Sequence, residues 1–239
     1  MQELTAVMHV EQMLLSRGTA DHAFAVSLPL LSLKAGEVVA ITGPSGCGKS
    51  TLIEGLGLIL RPQTVGCYRL LDQDLTEAVR HPQRVSEQKL AHLRSRALGF
   101  VPQSGGLLPY LTVDQNIALQ ARIQCQQPDV AWLSEAVARL GLTGLGSRFP
   151  RELSMGQRQR VSFLRALAHR PAVLLADEPT AALDPHHARH LFEVMLDMVR
   201  DVGVAAVVVT HEWDLVAALS LDRLQARSVS ATQMEFVRS

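Results

Sequence analysis

Gly43-Pro44-Ser45-Gly46-Cys47-Gly48-Lys49-Ser50 is the stretch whose reading decides the fold. Gly43, Gly48, Lys49 and Ser50 fill the pattern G-x-x-x-x-G-K-[ST], and the flanks give it meaning. Glu37-Val38-Val39-Ala40-Ile41-Thr42 precedes it as an apolar run suited to a central strand buried on both faces. Residues 50–60 follow with a helical pattern that Arg61-Pro62 closes. Strand, glycine turn and helix are the context in which this pattern binds phosphate. The glycines let backbone N–H groups converge on phosphate oxygens, and the helix amino end adds partial positive charge. Lys49 then reaches the terminal phosphates, and the Ser50 hydroxyl ligates Mg²⁺. Cys47 lies inside the loop as a small filler, and a thiol near a helix amino end and a lysine can also be reactive.

Outward from this loop, the apolar residues Phe24, Val26, Leu28 and Leu30 alternate as in a half-buried strand, and the first forty residues read as short strands. Residues 64–75 are again strand-like. From residue 82 to 150 the pattern becomes helical. Thr112 and Gln115 form a capping box that opens a helix running to Ile123. Pro128-Asp129 opens another helix, which Gly141 ends. The alternation then resumes: a helix over 154–169, an apolar strand over 172–177, a cap and first turn at Asp184-Pro185, a second buried strand over 204–210, and a helix from about Glu212. This is an α/β chain with a mostly parallel sheet and an inserted helical lobe at 82–150, its ligands expected at the carboxyl ends of the strands.

Composition narrows the function. At 239 residues, 47% of them hydrophobic, the chain suits one domain with a sizeable core. Its 23 basic and 23 acidic side chains balance, so the whole-chain basic excess of a nucleic-acid binder is absent. Apolar runs fall far short of the roughly 20 residues of a membrane span. No secretory pattern opens the chain. Cys47, Cys67 and Cys125 show neither paired nor metal-like spacing, which fits a reducing compartment.

Asp177 and Glu178 end the apolar run 172–176. Two adjacent carboxylates at the end of a buried strand are costly unless they act. Asp177 suits Mg²⁺, and Glu178 suits polarising an attacking water. The alternative, that both cap the turn beginning at Pro179, loses weight beside the phosphate loop. His211 follows the strand 204–210, where an imidazole can donate to a γ-phosphate or be an ordinary surface or core residue. Gln103 follows Phe100-Val101 and precedes Ser104-Gly105-Gly106; its amide can serve Mg²⁺ and water, or have no task. Ser154 with Gln157 forms a second capping box. Gly156 in that first turn is poor for a helix but good for close approach of an anion.

The ordered set of phosphate loop, Gln103, Leu153-Ser154-Met155-Gly156-Gln157, Asp177-Glu178, Ala182-Leu183-Asp184 and His211 resembles the ATP-binding cassette (ABC) ATPase family from about Leu28 to Ala226. The Leu-Ser-Met-Gly-Gln segment is the most discriminating piece. The resemblance implies a phosphate-loop nucleoside-triphosphatase core formed by 1–81 and 151–239, with an N-terminal antiparallel β subdomain, and a helical subdomain at 82–150. It implies ATP as ligand, held by the residues from Gly43 to Ser50 and by Thr51, with Asp177. Ser50, Gln103 and Asp177 would hold Mg²⁺, and Glu178, Gln103 and His211 would be catalytic. It further implies two cassettes packed head to tail. Ser154, Gly156 and Gln157 of one copy then close over ATP held by the other, and Asp184 touches across the interface. A lone copy should be an inefficient ATPase.

The chain departs from the family at the base site, since no aromatic residue falls near residues 14–17 to stack on adenine. Phe24 is the nearest aromatic residue, although its place in the alternating apolar face reads more readily as core, and the Arg17 guanidinium plane can stack instead. The usual glycine turn between the last strands is also missing. The family resemblance implies a separate transmembrane permease as partner, a second and identical cassette, no nucleic acid, and a position on the cytoplasmic face of the membrane. The apolar segment Leu107-Leu108-Pro109-Tyr110-Leu111 can receive that permease or pack in the lobe. Its appearance is nearest the lipoprotein-release and macrolide-export branch, with an import cassette or a soluble family member as alternatives. A phosphate-loop kinase leaves the Leu-Ser-Met-Gly-Gln segment and His211 without a role.

Overall fold

A computed structural model describes residues 6–18, 23–81, 83, 87–127, 129–181, 183, 185–211 and 213–239. Ten strands form one sheet: β1 (Met8–Arg17), β2 (Phe24–Leu33), β3 (Val38–Thr42), β4 (Cys67–Leu70), β5 (Gln73–Asp74), β6 (Leu98–Val101), β7 (Val173–Asp177), β8 (Ala205–Val209), β9 (Asp222–Ser230) and β10 (Gln233–Arg238). Their order is β5-β4-β1-β2-β10-β9-β3-β8-β7-β6. Strands β9, β3, β8, β7 and β6 pair in parallel, while β5, β4, β1 and β2 pair antiparallel. β10 joins the two halves, antiparallel to β9 and parallel to β2.

The apolar runs become central strands because every residue of β3, β7 and β8 is buried. Side chains alternate across the sheet. Val39, Ile41, Leu175, Val207 and Val209 join one core cluster, and Val38, Leu174, Ala176, Ala206 and Val208 join the other. At the amino-terminal end the structure corrects two expectations. The first strands are ten residues long rather than short, and Leu30 is exposed although Leu28 is buried. Gln12, at φ 49°, interrupts the pleat opposite this point, and both β1 and β2 change the face they bury. The pairing register is the same on both sides of this point, so the two strands invert their side-chain patterns together.

The helices are α1 (Lys49–Leu56), α2 (Thr76–Arg80), α3 (Glu87–Ala97), α4 (Val113–Ile123), α5 (Val130–Arg139), α6 (Met155–Leu167), α7 (Pro185–Val202) and α8 (Trp213–Ala218). The capping boxes at Thr112 and Ser154 are both formed. Asp129 caps α5, and Gly141 follows its end at φ 62°. Pro128, Asp184 and Glu212 lie outside the described residues. Residues 64–75 contain only the short β4 and β5, separated by a turn with Leu71 at φ 56°. In place of a glycine turn, β9 and β10 are joined at Ala231-Thr232, where the Ser230 hydroxyl accepts from the Thr232 N–H at 3.3 Å.

Asn116 explains the segment before α4. It is fully buried, its Nδ2 donates to the carbonyls of Leu108, Leu111 and Thr112, and its Oδ1 accepts from the Leu108 N–H. Leu107 is drawn against the core, whereas Tyr110 stays 70% exposed. The segment therefore divides, with one end packed in the lobe and the other facing outward.

Candidate functional site

The phosphate loop turns from β3 into α1 through Gly46 at φ 76° and Gly48 at φ 95°, conformations that favour glycine. A Cβ on Gly48 would stand 2.4 Å from Val26 Cγ2, so the loop lies hard against β2. Gly48 also sits at the N-cap with no side-chain cap, which leaves the first N–H groups of α1 for a ligand. Lys49 is buried and folded over the loop, its Nζ donating to the Gly43 and Pro44 carbonyls at 3.0 and 2.9 Å. This short cation is thus positioned above the loop, where a phosphate would replace its carbonyl partners.

Cys47 packs inward, 5% exposed, and burial pushes its thiol above the usual range despite the Lys49 charge. The expectation of a reactive thiol is corrected: desolvation outweighs the lysine. Iodoacetamide should therefore label the exposed Cys125 well before Cys47. Mass spectrometry of the native chain checks this, and labelling of Cys47 first would contradict it.

The carboxyl edges of β6, β7 and β8 bring three predicted residues together. Gln103 Nε2 donates to Glu178 Oε2 at 2.9 Å, and His211 Nε2 lies 2.5 Å from Glu178 Oε1. Glu178 has φ 50°, a left-handed backbone that costs about 1–2 kcal/mol for an L-residue. Its N–H is anchored to the Val209 carbonyl at 3.1 Å. The surrounding structure sustains this strain at the one carboxylate both polar side chains address.

Asp177, one residue earlier, is buried and accepts a hydrogen bond from Ser50, yet its Oδ1 has no hydrogen-bond partner among the described residues. Burial raises its carboxyl above the ordinary range, opposed by Ser50 and reinforced by Glu178 and Glu54. A buried carboxylate oxygen left without a donor, beside a serine hydroxyl, is a hard oxygen set that fits Mg²⁺ shared with phosphates. No cluster of three His, Cys, Asp or Glu side chains able to hold a metal occurs among the described residues, so phosphate oxygens would complete the shell.

Asp177 binds its proton more tightly folded than unfolded. That term favours folding as pH falls through the folded value and is lost as pH rises above it. Asp177→Asn should accordingly raise the melting temperature of the metal-free, nucleotide-free chain at neutral pH by ~2–4 °C, the shift about 1 kcal/mol gives at this size. Calorimetry checks this; an unchanged or lowered midpoint would contradict it.

Ser154, Gly156 and Gln157 stand apart from this cluster. Ser154 Oγ accepts from the Gln157 N–H at 3.2 Å, and Gln157 Oε1 accepts from the Ser154 N–H at 2.9 Å. Gln157 is thus occupied in the cap, while the exposed Ser154 keeps its own hydroxyl proton to donate. Gly156 packs on Leu183, whose Cδ2 would be 2.5 Å from an added Cβ. α6 returns to β7 through a short link, so its amino end lies on the same side of the sheet as Asp177. No hydrogen bond among the described residues joins it to the phosphate loop.

At the base end, Arg17 makes an ion pair with Glu54 of α1. The Phe24 ring, half-buried, lies 3.4 Å from where a Gly48 Cβ would be. Sequence reasoning found neither contact, because both join strands to a helix distant in the chain.

A sequence profile described as ABC transporter matches residues 29–181. The lipoprotein-releasing system ATP-binding protein LolD 1 of Rhodospirillum rubrum is 41% identical over 196 residues, covering 81% of this chain and 82% of its own. LolD of Bordetella pertussis is 42% identical over 190 residues, covering 78% of each. Among solved structures, the ATP-binding cassette MJ0796, as a dimer in a post-hydrolysis state bound to ADP and Pi, matches with TM-score 0.74 and 26% identity. That match covers 91% of this chain and 93% of the other. The chain belongs to the ABC transporter family, as an ATP-binding and ATP-hydrolysing cassette. No helix among the described residues is long and apolar enough to cross a membrane.

Proposed function

We propose that two copies of this chain pack head to tail around two ATP molecules and drive a separate transmembrane partner that releases lipoprotein from the membrane, at its cytoplasmic face. The observation that carries the catalytic half of this reading is the convergence of Gln103 and His211 on Glu178, next to the unpartnered Asp177 oxygen. Lys49, Ser50, Thr51 and the loop N–H groups bind the phosphates. Ser50, Gln103 and Asp177 would hold Mg²⁺, which when bound would neutralise phosphate charge. Glu178 accepts hydrogen bonds from Gln103 and from His211 with its proton on Nε2. Its carboxylate is therefore oriented to take a proton from water attacking the γ-phosphate. Gln103 gives Nε2 to Glu178, so its carbonyl oxygen is the atom left for a ligand.

The separation of Ser154 and Gly156 from the loop supports a composite site. Their helix amino end presents N–H groups and a hydroxyl to an anion but has no lysine of its own. Asp184, outside the described residues, belongs to the same proposed interface. The membrane assignment is supported by the similarity to the LolD proteins, whose names place them in a lipoprotein-releasing system. Force transmission, rather than passage of substrate through the partner, goes with that branch. Tyr110, exposed beside the lobe, is available to such a partner.

The test is to purify the tagged chain from detergent-solubilised membranes and identify its companion. An integral membrane protein with a large periplasmic part would support lipoprotein release. A periplasmic solute-binding protein and channel-forming permease would make it an import cassette. Recovery without any membrane protein would favour the soluble alternative.

A further inference from the structure

Arg165 is a half-buried arginine on the carboxyl half of α6 whose hydrogen bonds leave its own helix. Its Nη1 donates to the Gly106 carbonyl at 2.8 Å and its Nη2 to the Gly105 carbonyl at 3.3 Å. Among the described residues no carboxylate pairs with it. Burying a guanidinium against two carbonyls without an acid is costly, and burial lowers its proton affinity. Gly105 and Gly106 adopt φ 78° and 55°, and the Gly105 N–H is bonded to the Pro102 carbonyl at 2.8 Å. A Cβ on Gly105 would stand 3.7 Å from the Arg158 carbonyl, so the turn also rests on the α6 backbone.

Two links meet in this turn. Gln103 sits inside it and donates to Glu178. Arg165 holds it from α6, the helix that begins at Ser154 and Gly156. The nine helical steps from Gly156 to Arg165 span about 14 Å of continuous helix. Arg165 also lines a cavity of about 380 Å³ between α3, β6, α4 and α6, together with Ile59, Phe100, Leu119 and His169. It therefore sits where the lobe, the helix that carries the remote half of the site and the Gln103 turn meet.

We infer that Arg165 is a positioning residue that fixes the Gln103 turn to α6, so that displacement of the helix moves the Gln103 amide relative to Glu178. Arg165 bonds to the Gly105-Gly106 turn and to neither Glu178 nor the phosphate loop among the described residues. Its effect passes through Gln103, and the inference rests on the reading of Gln103 and Glu178 as catalytic.

The test is steady-state ATPase kinetics of the full chain carrying Arg165→Met, Arg165→Lys, Gln103→Ala, and Gln103→Ala combined with Arg165→Met. Arg165→Met should lower kcat on the order of 10-fold or more, as loss of alignment does, with the KM for ATP nearly unchanged. Arg165→Lys keeps a cation with N–H donors but loses the two-pronged guanidinium, folds with the least disturbance, and should recover part of kcat. On Gln103→Ala, Arg165→Met should cost little more, because residues acting through one another are not additive. Full additivity on a slowed Gln103→Ala chain overturns the role of Arg165 alone. A rise in KM at constant kcat does the same, as does Arg165→Lys failing like Arg165→Met. A Gln103→Ala chain with unchanged kcat overturns the catalytic reading of Gln103 itself, and this inference with it.

Discussion

Glu178→Gln should lower kcat about 10²–10⁴-fold, the range a positioned general base contributes, while ATP still binds. The amide has the size of the carboxylate, and Gln103 can turn its own amide to keep a hydrogen bond to it. What disappears is the capacity to accept a proton from water. The adjacent phosphate machinery is separate: Lys49 is anchored over its loop by Gly43 and Pro44 carbonyls, and Ser50 is bonded to Asp177. ATP that binds without hydrolysis should hold two copies together. Size-exclusion chromatography with ATP should then show a stable dimer for the variant and a mostly monomeric unmodified chain. Normal turnover by Glu178→Gln would refute the role given to this carboxylate.

Lys49→Ala should weaken ATP affinity itself by about 10–100-fold, since hydrogen bonds to a charged group contribute ~1.5–3 kcal/mol and 1.4 kcal/mol is tenfold. Lys49 is buried at 6% exposure with its ammonium bonded to two loop carbonyls, so its removal takes a cation from a site built around one. Fluorescent-nucleotide titration checks the result. The two variants separate binding from chemistry: one loses affinity and keeps the base, the other the reverse. Equal affinity in Lys49→Ala would mean that the loop N–H groups and α1 carry the phosphates unaided.

The parts of this molecule legible in the sequence are those fixed by neighbours in the chain. The phosphate loop, the buried runs of β3, β7 and β8, and the capping boxes at Thr112 and Ser154 depend on residues within a few positions of one another. Gln103, Glu178 and His211 stand out by their places after apolar runs, and a parallel sheet carries the ends of such runs to a common edge. The rest depends on distant contacts. Leu30 breaks the alternation because Gln12, on the neighbouring strand, shifts the pleat. β10 pairs with β2, more than two hundred residues away in the chain. Cys47 has the local surroundings of a reactive thiol, but packing encloses it. Arg165 reads as one more arginine in an arginine-containing helix until the Gly105-Gly106 turn is seen against it. Helix termini and strand ends are local features; which of them meet is a property of the fold.

The central claim is that Ser154 and Gly156 of one copy complete the site built on Lys49 of another. It is tested most directly by mixing two inactive variants, Lys49→Ala and Ser154→Asp, the latter placing a carboxylate at an exposed position where an anion should approach. In a two-fold symmetric pair a mixed dimer has one site with both defects and one with neither. Random assortment should therefore restore about a quarter of the unmodified activity, although each variant alone is nearly inactive. A mixture no more active than its components would contradict the composite site.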